Sequence, residues 1–127
     1  MLGIRNNILN IYLSGGGSQK QSKTLDSLYF GSLSENSLIT YIPIALRGKR
    51  STRECQNWFE NLALSFGEFN VNVLQRLNIS EIELMKSDAI YIRGGNTYNL
   101  LREIRQSKFS NSFLKFARTG KPVYGAG

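Results

Sequence analysis

Residues 88–97, Asp-Ala-Ile-Tyr-Ile-Arg-Gly-Gly-Asn-Thr, carry the clearest chemical signal in the chain. A β-branched and aromatic run ends in two glycines, and an amphipathic helix pattern starts straight after them. In an α/β sheet this puts backbone N–H groups and a helix N-terminus at the carboxyl edge of a strand, where ligands and developing negative charge are bound. Gly94 and Gly95 let a substrate approach the main chain without meeting a Cβ, and their amides are suited to an oxyanion, as acyl transfer requires. Asn96 or Thr97 can equally cap the following helix. Tyr91 and Tyr98 flank the pair and either pack or line a pocket.

A second glycine cluster, Ser14-Gly15-Gly16-Gly17-Ser18, follows an apolar strand. A dinucleotide fingerprint would need Gly or Ala at position 20, where Lys20 stands, and no acidic residue closes the second strand. Gly17 to Ser22-Lys23-Thr24 has the spacing of a degenerate P-loop, but its second glycine is a serine and no strand ends in the aspartate that helps hold magnesium. The remaining reading is a tight turn that shapes a cleft. No cofactor and no metal is expected.

Histidine is absent from the 127 residues. The usual proton shuttle and the commonest metal ligand are missing, so no Ser-His or Cys-His pair can be completed from these residues. Cys55 falls in the first turn of a helix pattern, where a thiolate is favoured, but also on its apolar stripe, which favours packing.

These residues must be positioned by alternating strands and helices. Ile8–Leu13, Leu38–Ile44, Phe69–Leu74 and Ala89–Ile92 read as strands, and Pro122–Tyr124 begins a fifth. Leu25–Leu33 reads as a short helix or loop. Ser51–Phe66 is the best helix: Ser51 and Glu54 have capping-box spacing, Cys55, Trp58, Phe59, Leu62 and Phe66 form one stripe, and Gly67 stops it. Ser80 and Glu83 repeat the capping pattern before Glu81–Lys86. Thr97–Gln106 and Ser110–Thr119 follow, the latter with Phe113, Leu114 and Ala117 expected to face in. Strands this apolar, separated by helices, argue for a doubly wound, mostly parallel α/β sheet covered on both faces, flavodoxin-like or class I glutamine amidotransferase-like.

The length suits a single domain, 1–127, and 41% hydrophobic residues can build a core. Sixteen Lys+Arg against nine Asp+Glu give a net charge of +7, but the charges are dispersed. The densest cluster, Arg47, Lys49, Arg50 and Arg53, lacks the interleaved aromatics of a stacking platform, so no nucleic-acid partner is expected. One cysteine fits a reducing compartment; no signal peptide or membrane span is legible, and the expected location is cytoplasmic, with no membrane partner. The sequon Asn78-Ile79-Ser80 has no glycosylating context there.

Four ordered segments resemble one family. Leu13-Ser14-Gly15-Gly16-Gly17-Ser18, Tyr41-Ile42-Pro43-Ile44-Ala45, Ser87 to Thr97, and Gly120-Lys121-Pro122-Val123-Tyr124-Gly125-Ala126 are similar to the N-terminal part of the peptidase E family, serine dipeptidases related to cyanophycinase. The resemblance implies a class I glutamine amidotransferase-like fold and hydrolysis of dipeptides with an N-terminal aspartate. It implies a serine nucleophile on a sharp turn after the fifth strand, with a histidine and an acidic residue later. Gly94 and Gly95 would form the oxyanion hole, with Asn96 and Thr97 beside the substrate. The family's serine is expected at or just after Gly127, so the domain reads as incomplete at its C-terminus, truncated after the fifth strand and inactive alone. The implied partners are a small Asp-X peptide and a second copy or complementing fragment, the latter at a sheet edge expected along the fifth strand. A non-catalytic binding module and the degenerate P-loop are the alternatives.

Overall fold

The computed structural model describes residues 9–14, 19–95 and 97–126; of residues 19–21, 97 and 98 it describes the backbone. The described residues form five strands and five helices: β1 (Ile11–Ser14), α1 (Gln19–Gly31), β2 (Leu38–Ile42), α2 (Thr52–Leu64), β3 (Asn70–Val73), α3 (Glu81–Met85), β4 (Ala89–Ile92), α4 (Thr97–Gln106), α5 (Phe109–Arg118) and β5 (Val123–Ala126), with a 3-10 turn at Ile44–Leu46. The strands form one sheet in the order β1-β5-β4-β2-β3, and every pairing is parallel.

The burial of the strands follows from this order. β2 and β4 lie inside the sheet and are buried on both sides, whereas β1 and β3 lie at the edges and alternate. β5 runs between β1 and β4, so it is not the free edge expected from the sequence. Among the described residues the edges are β1 and β3, and β1 leaves Ile11 and Leu13 exposed.

One face of the sheet packs under α1 and α2, with Tyr29, Phe30, Cys55, Phe59 and Ala63 against Ile39, Tyr41, Tyr91 and Tyr124. The other packs under α3, α4 and α5, with Leu84, Leu100, Ile104, Phe109 and Phe116 against Ile42, Ile90 and Val123. This is the doubly wound arrangement, and it rests on aromatic packing more than the strand patterns indicate. Tyr41 stacks on Phe59 at 4.3 Å and Tyr91 on Tyr124 at 4.4 Å between ring centroids. Tyr29 crosses from α1 to donate to the Ile90 carbonyl at 2.8 Å, which satisfies its buried hydroxyl.

The caps form as expected at α2. The Ser51 hydroxyl accepts from the Glu54 amide and the Glu54 carboxylate accepts from the Ser51 amide. At α3 the Ser80 hydroxyl accepts from the Glu83 amide, while the Glu83 carboxylate turns to Lys86 at 3.0 Å. Lys121, just before β5, donates to the carbonyls of Met85 and Ser87 and so satisfies the end of α3.

Three local expectations are corrected. The segment at Leu25–Leu33 belongs to a 13-residue helix that begins at Gln19. In α5 the inward stripe is Phe109, Ser112, Phe116 and Ala117, so Leu114 is exposed and Phe113 only half-buried. The helix starts one residue earlier than the sequence suggested, and Phe109 sets the phase. Trp58, expected in the core, lies at the upper end of the sheet and is 40% exposed.

Candidate functional site

Sheet order fixes where a ligand can enter. From β2 the chain passes through α2 on one face and on to β3, outside β2; from β4 it passes through α4 and α5 on the other face and on to β5. The connections leaving β2 and β4 therefore part to opposite faces, and it is at such a switch point, in the crevice outside the carboxyl ends of the two neighbours, that α/β sheets bind ligands. Arg93-Gly94-Gly95 leaves β4 at that crevice. The Arg93 amide donates to the Ile42 carbonyl at 3.1 Å beyond the last paired residues of β4, and the glycines follow.

Gly95 has φ of +152°, and a Cβ there would stand 2.8 Å from the Ala45 carbonyl oxygen and 2.8 Å from Leu46 Cδ2. The second glycine is thus demanded by the close approach of the 3-10 turn after β2. That turn is clamped to α4. Arg47 pairs with Glu103 at 2.7 Å, and the Asn99 amide donates to the Arg47 carbonyl at 3.0 Å. Arg47 also donates to the Gln75 carbonyl at 3.2 Å. The densest basic cluster of the sequence thus has a structural task at its first residue, and Arg50 pairs loosely with Glu54 at 3.8 Å.

Arg93 is the side chain that sequence reasoning missed. Its guanidinium lies over the Trp58 ring, 3.7 Å from the centroid, and donates to the Tyr41 hydroxyl at 3.3 Å. Burial pushes the Tyr41 hydroxyl up to about 12 although the neighbouring guanidinium pulls it down, so the phenol stays neutral and accepts the bond. The contact joins β4, β2 and α2, and its members are far apart in the chain.

A second polar group sits beneath β5. Asp26 of α1 is 9% exposed, and its Oδ1 is buried without a hydrogen-bond partner among the described residues. Burial raises its pKa, while a hydrogen bond with the Tyr124 hydroxyl acts in the opposite direction. Tyr124 is pushed up to about 12, chiefly by burial and then by the bond to Asp26, while Ser14 and Tyr91 lower it. The charged carboxylate is disfavoured in the folded protein, so the stability linked to its proton is present below the unfolded carboxylate pKa. It is lost as pH rises through the raised folded value. Asp26→Asn is therefore expected to raise the urea midpoint at about pH 7 and to lose that advantage at about pH 3.5. A parent–variant difference that is constant across this range would disprove the linkage.

Ile92 stands opposite Gly125 in the register, so β5 ends beside the start of the glycine turn. Tyr91 is buried and packs, as one of its two readings had it. Cys55 is buried in the α2 stripe. Ser22, Lys23 and Thr24 lie inside α1, past its first turn, so no open loop runs from Gly17 to Lys23 and the P-loop reading fails. Gly15 to Ser18, Asn96, the side chains of Thr97 and Tyr98, and Gly127 lie outside the described residues. Among the described residues no group of His, Cys, Asp and Glu could hold a metal ion. None of their helices is long and apolar enough to cross a membrane.

The model of peptidase family S51 matches residues 11–127, a span that includes the glycine pair and all five strands. The chain belongs to peptidase family S51. Two solved structures share the S51 chain's fold. A candidate peptidase E from Listeria monocytogenes EGD-e is 25% identical with a TM-score of 0.73, over 94% of this chain and 58% of that one. A peptidase from an acI-B1 Actinobacterium is 16% identical with a TM-score of 0.66, over 95% of this chain and 55% of that one. The S51 chain thus spans little more than half the length of either structure. A search of curated proteins finds no match.

Proposed function

We propose that the chain supplies the oxyanion side of a serine peptidase of the peptidase E kind, acting on dipeptides with an N-terminal aspartate. Gly94 and Gly95 donate their amides to the tetrahedral oxyanion, and Asn96 and Thr97 lie along the substrate. The attacking serine is placed just after Gly127, and its histidine comes from outside these 127 residues, which contain none. The observation that carries this reading is the register of Ile92 with Gly125, which brings the chain out of β5 one strand away from Gly94. Substrate and catalytic serine then share the crevice between β4 and its neighbours.

The proposal includes a cytoplasmic protein without nucleic-acid, membrane or cofactor partners, a location consistent with one buried, unpaired cysteine. A complementing fragment or second copy docks at β1, where Ile11 and Leu13 are exposed, rather than at β5.

The test is release of free aspartate from an Asp-X dipeptide. The 127-residue chain alone is expected to release none. Added to a C-terminal fragment of a family member that carries the serine, histidine and acidic residue, it is expected to restore turnover. Turnover by the chain alone, free of contaminants, would overturn the assignment of the nucleophile and base. A complementing fragment that binds the chain yet yields no aspartate would overturn the peptidase reading.

A further inference from the structure

We infer that Arg93 is the specificity residue of this crevice and reads a carboxylate on the bound ligand. The inference rests on the proposed use of the crevice at Gly94 and Gly95, and it names the substrate group that the crevice recognises. Arg93 immediately precedes the glycine pair assigned to the oxyanion. It is held on two sides. The Trp58 ring covers one face at 3.7 Å, and the Tyr41 hydroxyl takes one N–H at 3.3 Å. Tyr41 is itself fixed, fully buried and stacked on Phe59. Among the described residues no carboxylate pairs with Arg93, so its remaining donors are not taken by an ion pair of the protein.

A stacked guanidinium keeps its planar fork of donors in one orientation. That geometry matches the two oxygens of a carboxylate, and fixing it in advance reduces the ordering cost of binding. The partial exposure of Trp58 agrees with this arrangement: the ring covers Arg93 instead of joining the core beside Phe59.

Trp58 is the only tryptophan in the chain, so it reports directly on the cation above it. The experiment titrates the full 127-residue chain with L-aspartate, L-asparagine and inorganic phosphate. Trp58 emission reports the location of binding and calorimetry its affinity. L-Aspartate is expected to give a saturable emission change, with L-asparagine and phosphate each weaker by about tenfold or more. Arg93→Met is expected to remove the preference for aspartate, and Arg93→Lys to retain part of it. The inference is overturned by absent binding, by equal affinity for aspartate and asparagine, by phosphate binding as tightly as aspartate, or by parental aspartate affinity in a folded Arg93→Met chain. Turnover does not enter this readout. Arg93-dependent binding without hydrolysis in the complemented assay would remove the peptidase reading alone, and hydrolysis without Arg93-dependent discrimination would remove this inference alone.

Discussion

Gly95→Ala is expected to lower the unfolding free energy by about 3 kcal/mol, through backbone strain and overpacking together. The glycine's φ of +152° is one that a residue with a Cβ rarely adopts, and the new methyl would meet the Ala45 carbonyl oxygen and Leu46 Cδ2 at 2.8 Å each. Leu46 has side-chain freedom to move, but the Ala45 backbone does not. It belongs to the 3-10 turn that Arg47 and Asn99 fasten to α4. Relief must therefore come from rotating the Gly94–Gly95 peptide or from lifting α4. Either movement displaces the amides assigned to the oxyanion, so complemented turnover should fall even where the variant remains folded. Urea unfolding followed by circular dichroism measures the first effect and aspartate release the second. A variant with parental stability would show that the turn has slack that the close contact does not allow.

Phe59→Ala is expected to cost about 4 kcal/mol, the range for deleting a fully buried aromatic side chain. Phe59 has no exposed surface and stacks on Tyr41 at 4.3 Å with an interplanar angle of 8°. It also contacts Tyr91 at 4.7 Å and Phe30 at 6.1 Å. The hole would open under α2, where the surrounding rings belong to two strands and α1 and cannot all collapse toward it. Against a usual domain stability of about 5–15 kcal/mol, the variant would stand close to unfolding. The consequence extends to the site, because Phe59 fixes the ring whose hydroxyl holds Arg93. Surviving folded protein should show altered Trp58 emission before any denaturant is added. A loss below about 1 kcal/mol in urea unfolding would mean that the aromatic layer repacks freely, which dense interiors do not permit.

The two substitutions probe features of different legibility. The glycine pair was visible because a β-branched run, two glycines and a helix pattern are contiguous, and local backbone chemistry suffices to read them. Its reason was only half visible. Freedom of approach for a substrate explains a missing Cβ as well as Ala45 does, and Ala45 is about fifty residues away in the chain. The α2 stripe was read correctly for Cys55 and Phe59 but not for Trp58. Helical periodicity gives the direction of a side chain and says nothing of where the sheet beneath it ends. Arg93 gave no signal, since an arginine after a strand is an ordinary solvated charge until a ring and a phenol from two other elements are brought against it.

The sequence by itself determined the alternation of strands and helices, the N-terminal caps of α2 and α3, the parallel α/β class and, through four ordered segments, the family. These properties are carried by short-range spacing and by apolar periodicity, which act within single elements. Only the tertiary structure decided the strand order, and with it three matters that spacing cannot encode. It put β5 inside the sheet between β1 and β4, and it set the point between the carboxyl ends of β2 and β4 where the connections part to opposite faces. It also joined Arg93 to Trp58 and Tyr41 there. Parallel strands need long crossovers, and a crossover of similar length can reach several places in a sheet. Packing of the two aromatic and aliphatic layers selects among them, so the neighbours at the site are a property of the whole fold.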